Sequence, residues 1–210
     1  MEETVATGCV VKLDRGFPLV RLEDGRELRC KHATSLVKGE RVRAVIGDRV
    51  RVSFAERNDK ALIVEVLPRS RELVRKDPTE RAVPQVLAAN FDRVIVTQPS
   101  TEVNMRRLER ELVLAHETGA AVSVVLTKAD LAESEDEVAR VRERVLALVG
   151  ADVETLVVSE AMPESVEAVR ALVPEGTTAV LIGRSGVGKS SLVNLLVGRD
   201  VQETGTVREA

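Results

Sequence analysis

The sequence predicts a protein of two domains, a small all-β barrel followed by an α/β domain built on a parallel sheet. Three observations lead to this fold class. Short strand-like segments separated by Gly and charged residues occupy residues 1–68, a charged segment with two prolines occupies residues 69–86, and strand and helix patterns alternate through residues 87–210. With 210 residues, of which 44% are hydrophobic, the chain is long enough to bury a core in each domain.

The first domain is predicted from its spacing of strands and turns. Asp24 and Gly25 are a strong hairpin-turn signal, and Pro68 ends the last apolar segment. Four or five short strands within this length favour a small closed barrel such as an OB-fold. An SH3-like barrel fits the same pattern, and the pattern alone does not separate the two. The strand-like segments are residues 5–13, 19–22, 26–30, 49–54 and 61–67.

Residues 69–86 differ in character from what precedes and follows them. This segment is charged, contains Pro78 and Pro84, and has no sustained periodicity. Such a composition predicts a linker or hinge between the two domains.

From residue 87 onward, strands that are apolar along their length alternate with amphipathic helices. Met105, Leu108, Leu112 and Ala115 share one face of the first helix, which Gly119 ends. This alternation is typical of a parallel sheet covered on both faces. The predicted strands are residues 92–97, 121–126, 153–158 and 178–182.

Composition excludes several classes of protein. No apolar run is long enough to cross a bilayer, and the chain begins with the acidic Met1-Glu2-Glu3 rather than a basic signal-peptide start. Cys9 and Cys30 are too few for a disulfide framework or a four-cysteine zinc site. We therefore expect a cytoplasmic protein with no membrane partner. The small basic surplus of residues 1–86 is compatible with a nucleic-acid-facing domain without requiring one.

The strongest motif fits G-x-x-x-x-G-K-[ST] and lies between a predicted strand and a predicted helix. Glycines allow the backbone amides of such a loop to point at phosphate oxygens, and the helix N-terminus favours negative charge. Lys189 is predicted to reach the β- and γ-phosphates, and the Ser190 hydroxyl to ligate Mg²⁺. The motif predicts a nucleotide-phosphate site. Its residues are Gly183, Arg184, Ser185, Gly186, Val187, Gly188, Lys189, Ser190 and Ser191.

A second motif, Thr127-Lys128-Ala129-Asp130, follows the strand at residues 121–126. Beside a phosphate-binding loop it matches the [NT]-K-x-D pattern of guanine-specific GTPases. A carboxylate at Asp130 can accept hydrogen bonds from both N1–H and the exocyclic amino group of guanine, a paired donor face that adenine lacks. Thr127 stands where Asn is more usual and cannot form the same two-ended amide bridge, so a lower affinity is expected.

A third segment, Ser159-Glu160-Ala161, ends the next strand. GTPases place a short Ser-Ala-type loop here against guanine O6. Glu160 stands where Ala is usual, and its backbone amide could still serve that role.

The order of these motifs is unusual, because Asp130 precedes Gly183, whereas ordinary GTPases begin with the phosphate-binding loop. Chain termini often lie close together, so a fold can be cut and rejoined without altering its core. A barrel followed by a permuted GTPase domain resembles the small ribosomal subunit biogenesis GTPases, the circularly permuted family also called ribosome small-subunit-dependent GTPase A. The resemblance covers nearly the whole chain, including residues 85–90 before the first strand of the GTPase domain.

This resemblance implies GTP hydrolysis that the small ribosomal subunit stimulates. We also expect a monomer that binds GTP and GDP with Mg²⁺. The resemblance also implies contacts between the barrel and 16S rRNA and a role in late maturation of the 30S subunit.

The family also has a switch segment, a D-x-x-G loop and a C-terminal Cys/His zinc domain. No D-x-x-G follows Ser191, and the sequence to Ala210 contains no C-x-x-C, so ligands for the Zn²⁺ expected of the family are absent from this chain. We expect a GTPase domain incomplete at its C-terminus, in which nucleotide binding survives better than hydrolysis. No catalytic residue is assigned.

Two alternatives stay open at this point. The chain could be an unrelated P-loop ATPase or kinase in which residues 127–130 match by coincidence. It could also be a non-hydrolysing, nucleotide-dependent RNA-binding module.

Overall fold

The computed structural model describes residues 4–14, 17–40, 42–54, 61–75 and 85–198. The chain forms two compact units, residues 1–91 and 92–210. None of the helices in the described ranges combines the length and the hydropathy needed to span a bilayer.

The first unit is a closed five-stranded barrel with strand order β1-β2-β3-β5-β4. β3 and β5 pair in parallel, and the other neighbouring strands, including the closing pair β1 and β4, are antiparallel. A short helical segment, Leu36–Glu40, lies between β3 and β4. This arrangement confirms the OB-fold-like barrel over the SH3-like alternative. The strands are β1 (Thr4–Asp14), β2 (Phe17–Leu22), β3 (Glu27–His32), β4 (Arg49–Phe54) and β5 (Ala61–Val66).

Alternation along the strands fills the barrel. On β4, Val50 and Val52 are completely buried while Arg49 and Arg51, which alternate with them, are exposed, because successive side chains of a strand point to opposite faces. Val20, on β2, and Ile63, on β5, are buried in the same core cluster. The barrel interior is therefore packed with aliphatic side chains.

Residues 69–86, expected as a linker, contribute instead to a hairpin within the first unit. β6 (Glu72–Arg75) pairs antiparallel with β7 (Gln85–Ala89). The prolines on which the prediction rested, Pro78 and Pro84, lie outside the described residues. The expected boundary at residue 87 likewise falls within β7, so the compact unit extends to Phe91.

A buried ion pair attaches this hairpin to the barrel. Arg69 donates from Nε and Nη2 to the two carboxylate oxygens of Asp48, at 2.7 and 2.8 Å. Asp48 is completely buried and also accepts a hydrogen bond from the backbone amide of Val45 at 2.7 Å. Local composition predicted a linker because the partner of Arg69 lies 21 residues away in sequence.

Asn90 forms a second attachment, in the left-handed conformation with φ of 55°. Its side-chain oxygen accepts from the amide of Ser70 at 2.8 Å, and its side-chain nitrogen donates to the carbonyl of Gly47 at 3.0 Å. A Cβ on Gly47 would lie 2.0 Å from the carbonyl oxygen of Ala89, so only glycine allows the two segments to approach this closely.

The second unit is an α/β domain whose four strands are all parallel, in the order β10-β9-β8-β11. This confirms the predicted parallel sheet. Its strands are β8 (Arg93–Pro99), β9 (Ala121–Thr127), β10 (Glu154–Val157) and β11 (Ala179–Ile182). Its helices are α1 (Met105–Glu117), α2 (Glu135–Val149), α3 (Pro163–Ala171) and α4 (Lys189–Val197).

The chain runs from β8 outward through β9 to β10 and then returns to place β11 on the other side of β8. The change of direction lies between β8 and β11, and ligands of open α/β sheets bind beyond the carboxyl ends of strands at such a point. α3 and α4 pack together over Ile95 and Val125 of the sheet, and α1 packs on β8 and β9.

We predict that Asp48→Asn lowers the free energy of unfolding of the barrel unit by about 3 kcal/mol, because it leaves the guanidinium of Arg69 opposite a neutral group. Urea unfolding followed by circular dichroism measures the change. The control is Glu23→Gln, which removes an exposed ion pair with Arg49 at 3.4 Å and should cost less than about 0.5 kcal/mol. Equal losses in the two variants would contradict the structural role of the buried pair.

Candidate functional site

Three loops of the second unit follow the carboxyl ends of β9, β10 and β11, and they surround one open cleft of about 190 Å³. We name them the base loop (residues 127–131), the serine loop (158–162) and the phosphate loop (183–188). Because the strands are parallel, all three lie at the same edge of the sheet. The structure thus brings together residues from all three predicted motifs. The cleft is lined by Thr127, Lys128, Asp130, Leu131, Val158, Ser159, Glu160, Gly188, Ser191, Leu192 and Leu195.

The phosphate loop has the backbone geometry of an anion-binding turn. Gly186 and Gly188 have φ values of 80° and 98°, in the region that favours glycine. Among the described residues, the backbone amides of Ser185, Gly186 and Gly188 have no hydrogen-bond acceptor. Arg184, Ser185 and Gly186 are exposed, whereas Val187 is buried and anchors the loop. These amides are available to an anion at the N-terminus of α4.

Gly183 fixes the start of the phosphate loop against the sheet. A Cβ at this position would lie 2.4 Å from the carbonyl oxygen of Thr97 on β8, and its φ is 145°. The loop therefore passes directly over the end of β8, next to the change of direction in the sheet.

Lys189, the first residue of α4, folds back over the phosphate loop. Its Nζ donates to the carbonyls of Gly183 at 2.9 Å and Arg184 at 2.8 Å. Burial lowers the pKa of Lys189; the charge of Glu111 opposes this shift and that of Arg107 adds to it. The ammonium group is thus already held above the loop where phosphate oxygens would lie.

Thr127 connects the base loop to the phosphate loop. Its hydroxyl lies within hydrogen-bond distance of the carbonyl of Val187 and, at 3.2 Å, of the carbonyl of Gln98. A Cβ on Gly188 would lie 3.2 Å from this hydroxyl, so the absence of a side chain there allows the approach. The carbonyl of Thr127 accepts from the amide and hydroxyl of Ser100, at 2.7 and 2.6 Å. The hydroxyl of Thr127 therefore connects the two loops here, although threonine lacks the separate amide nitrogen and oxygen of the more usual asparagine.

The rest of the base loop presents Asp130 to the cleft. Lys128 has the left-handed φ of 61°, and Ala129–Leu131 form a single 3-10 turn. This sharp turn places Asp130 and Leu131 on the exposed rim of the cleft, while Ala129 does not line it.

The serine loop is fixed from within and by α3. Ser159 is buried, and its hydroxyl accepts from the amide of Ala161 at 3.2 Å. That amide is therefore committed inside the loop. The amide of Glu160 has no acceptor among the described residues, and the exposed Glu160 lines the cleft.

Ser190 is the sequence-predicted Mg²⁺ ligand. Within the described ranges its hydroxyl has no hydrogen-bond partner, and no group of three or more His, Cys, Asp or Glu residues is placed to hold a metal. A single hydroxyl beside a phosphate site fits Mg²⁺, which keeps several waters and is bound largely through substrate phosphates.

Sequence reasoning missed two residues that support the site. The buried Gln98 supplies a carbonyl near the Thr127 hydroxyl, and Ser165 on α3 holds the serine loop. The position of Gln98 at the end of the strand next to β9 could have indicated the first. Ser165 lies in the first turn of a predicted helix, where a hydroxyl often bonds to nearby backbone.

We predict that Gly183→Ala lowers the free energy of unfolding of the second unit by about 2–3 kcal/mol, because both its φ and its clash with Thr97 oppose a side chain. Thermal unfolding measures the change. Gly176→Ala is the matched control, since Gly176 also has positive φ, 82°, but nothing lies within 4 Å of its added Cβ. It should cost about 1 kcal/mol. If Gly183→Ala lowers the free energy of unfolding by no more than Gly176→Ala does, the close approach of Gly183 to Thr97 is refuted.

A family model described as RsgA GTPase matches residues 66–210. A curated relative from Streptomyces avermitilis, named small ribosomal subunit biogenesis GTPase RsgA, is 37% identical over 216 residues, covering 99% of this chain and 55% of the relative. One of the same name from Xanthomonas campestris pv. campestris (strain B100) is 40% identical over 168 residues, covering 80% of this chain and 44% of the relative. The chain spans about half the length of these curated relatives.

Solved structures give the same answer for the fold. The crystal structure of YjeQ from Thermotoga maritima has a TM-score of 0.71 at 26% identity, covering 92% of this chain and 65% of that one. YloQ, described as a circularly permuted GTPase, has a TM-score of 0.66 at 21% identity, covering 91% and 64% of the two chains. These likenesses confirm the predicted fold, an OB-fold-like barrel followed by a circularly permuted P-loop domain. Since the family model matches residues 66–210, more than half of the chain and the part that contains all three loops, the chain belongs to the RsgA GTPase family.

Proposed function

We propose that the chain binds GTP and GDP with Mg²⁺ and hydrolyses GTP as a factor in late maturation of the small ribosomal subunit. The observation that carries this proposal is the single cleft at which Asp130, the serine loop and the N-terminus of α4 meet. A generic phosphate site needs only the last of these. An additional carboxylate and loop at the far side of the cleft favour a ligand that has a guanine base as well as phosphates.

The phosphates would be held by the phosphate loop and the start of α4. Backbone amides of the loop donate to phosphate oxygens, and Lys189 adds a positive charge above them. Ser190 would hold Mg²⁺, which neutralises phosphate charge when bound. Ser191 lines the cleft one residue further along the helix. Gly183–Ser191 together form the phosphate half of the proposed site, with Arg184, Ser185, Gly186 and Val187 contributing backbone.

The base would lie between the base loop and the serine loop. The Asp130 carboxylate would accept from N1–H and the exocyclic amino group of guanine, and the stem of Lys128 would lie along the ring. The amide of Glu160, which has no acceptor among the described residues, is the donor best placed for O6, since that of Ala161 is bonded to Ser159. Thr127 would align the two halves of the site.

The partners are proposed from the family. Curated members are named small ribosomal subunit biogenesis GTPases, and the proposal extends that partner to this chain. The OB-fold-like barrel would contact 16S rRNA, and we propose that the chain acts as a monomer in the cytoplasm. Family membership disfavours both an unrelated P-loop ATPase or kinase and a non-hydrolysing RNA-binding module.

We predict that Asp130→Asn weakens GDP binding by about tenfold or more, because the amide can no longer accept both guanine donors. Isothermal titration calorimetry with GDP, ADP and xanthosine diphosphate tests this at constant Mg²⁺. The variant should gain affinity for xanthosine diphosphate, whose C2 carbonyl can accept from the new amide. Glu133→Gln removes an exposed acid near the base loop that does not line the cleft and should leave GDP binding unchanged. Equal affinities of the parent chain for GDP and ADP would overturn the role given to Asp130.

Hydrolysis is tested separately, by phosphate release from GTP with and without purified small ribosomal subunits. The chain should turn over GTP faster with subunits than alone. Lys189→Ala should abolish stimulated turnover, because it removes the cation nearest the phosphates. An absence of stimulated turnover together with intact GDP binding would refute the hydrolytic part of the proposal for this chain.

A further inference from the structure

α3 (Pro163–Ala171) is not part of the cleft, yet it contacts both sides of it. Its first turn is bonded to the serine loop, and its last turn is bonded to the end of α4. The nine-residue helix therefore joins the proposed base side to the helix that begins at the proposed phosphate side.

At its N-terminal end, α3 holds the serine loop through Ser165. The amide of Ser159 donates to the Ser165 hydroxyl at 3.1 Å, and this hydroxyl lies 2.6 Å from the carbonyl of Met162 and 3.2 Å from that of Ser159. One side chain thus bridges the start and the end of the serine loop. The amide of Met162 closes the same turn by donating to the carbonyl of Ser159 at 3.2 Å.

At its C-terminal end, α3 holds α4 through Arg170. The guanidinium donates from Nη2 to the carbonyls of Leu195 and Leu196, at 3.3 and 3.1 Å, and from Nε to Leu196 at 3.3 Å. These carbonyls belong to the last turn of α4, where positive charge is favourable, and that of Leu195 also accepts from the C-cap amide of Gly198 at 3.3 Å. Arg170 also pairs with Glu167 one turn earlier, which orients the guanidinium.

Between these two ends, α3 packs rigidly against its neighbours. Val166 and Val169 are buried in one core cluster with Leu192 of α4 and Ile95 of the sheet. A movement of α3 would therefore shift the serine loop and α4 together rather than one of them alone.

From these contacts we infer that α3 is a strut that fixes the position of α4, whose N-terminus lies at the phosphate half of the cleft, relative to the serine loop, with Ser165 and Arg170 as positioning residues. Neither residue lines the cleft, so neither would contact a nucleotide bound there. The inference deepens the proposed function and rests on it.

The strut matters only for a ligand that occupies both halves of the cleft. Two linked binding contacts reinforce each other when their separation matches the ligand, and this gain is lost when the spacing varies. GDP has a base and phosphates, whereas pyrophosphate can occupy the phosphate half alone. Loss of the strut should therefore weaken the binding of GDP and leave the binding of pyrophosphate unchanged. A general loss of stability would weaken the binding of both.

The test is calorimetric titration of the full chain with GDP and with pyrophosphate, both in the presence of Mg²⁺. Arg170→Gln should weaken GDP by about tenfold and change the Kd of pyrophosphate by less than about twofold. Ser165→Ala should give the same pattern. In the double variant the Kd of GDP should rise by less than the product of the two single-variant increases, since both changes release the same helix. Arg142→Gln, on the exposed face of α2, is the matched control and should change neither ligand.

The outcomes distinguish a failure of the proposed function from a failure of the strut. If the parent chain fails to bind GDP, the proposed function fails. If the parent chain binds GDP, and Arg170→Gln either leaves the affinity for GDP unchanged or lowers the affinities for GDP and pyrophosphate equally, the proposed function stands and the strut is refuted. Circular dichroism identifies a variant that does not fold, in which case Ser165→Ala decides by the same criteria.

Discussion

The candidate site depends on the parallel orientation of the four strands in the α/β unit. Whole helices separate the base loop, the serine loop and the phosphate loop along the chain. They lie at one edge of the sheet only because β9, β10 and β11 run in the same direction. Reversing any one strand would move its loop to the opposite edge of the sheet. Because Val94, Ile95 and Val96 are completely buried between helical layers, β8 has no exposed face that would tolerate rearrangement.

The same constraint explains why the unusual motif order is compatible with an ordinary site. β11 is the last of these strands along the chain, yet its neighbour in the sheet is the first of them, β8, with Leu181 opposite Ile95. The phosphate loop then turns at Gly183 directly above the carbonyl of Thr97. These contacts depend on which strands are neighbours and not on the order in which the chain supplies them, so cutting and rejoining such a domain preserves its core.

Local patterns predicted the elements well, and long-range polar contacts explain where they did not. The alternation of Val50 and Val52 with arginines and the apolar strands of the second unit are properties of short segments, and each predicted element is present. The hairpin of β6 and β7 escaped prediction because its attachment depends on Arg69 meeting Asp48, a pairing that no local pattern encodes. Thr127 is a similar case. Its residue type indicated a missing amide contact, whereas its closeness to Gly188 lets a hydroxyl reach the carbonyl of Val187.

The geometry of the phosphate loop indicates which groups are best prepared for an anion. Lys189 donates to two carbonyls, which leaves one of the three N–H donors of its ammonium group for a phosphate oxygen in the proposed site. The amides of Ser185, Gly186 and Gly188 give up only water, because no described residue accepts from them. Glycine conformations and the buried Val187 set the directions of these amides in the loop. In the proposed site the backbone would therefore supply preorganised donors, and Lys189 would supply positive charge.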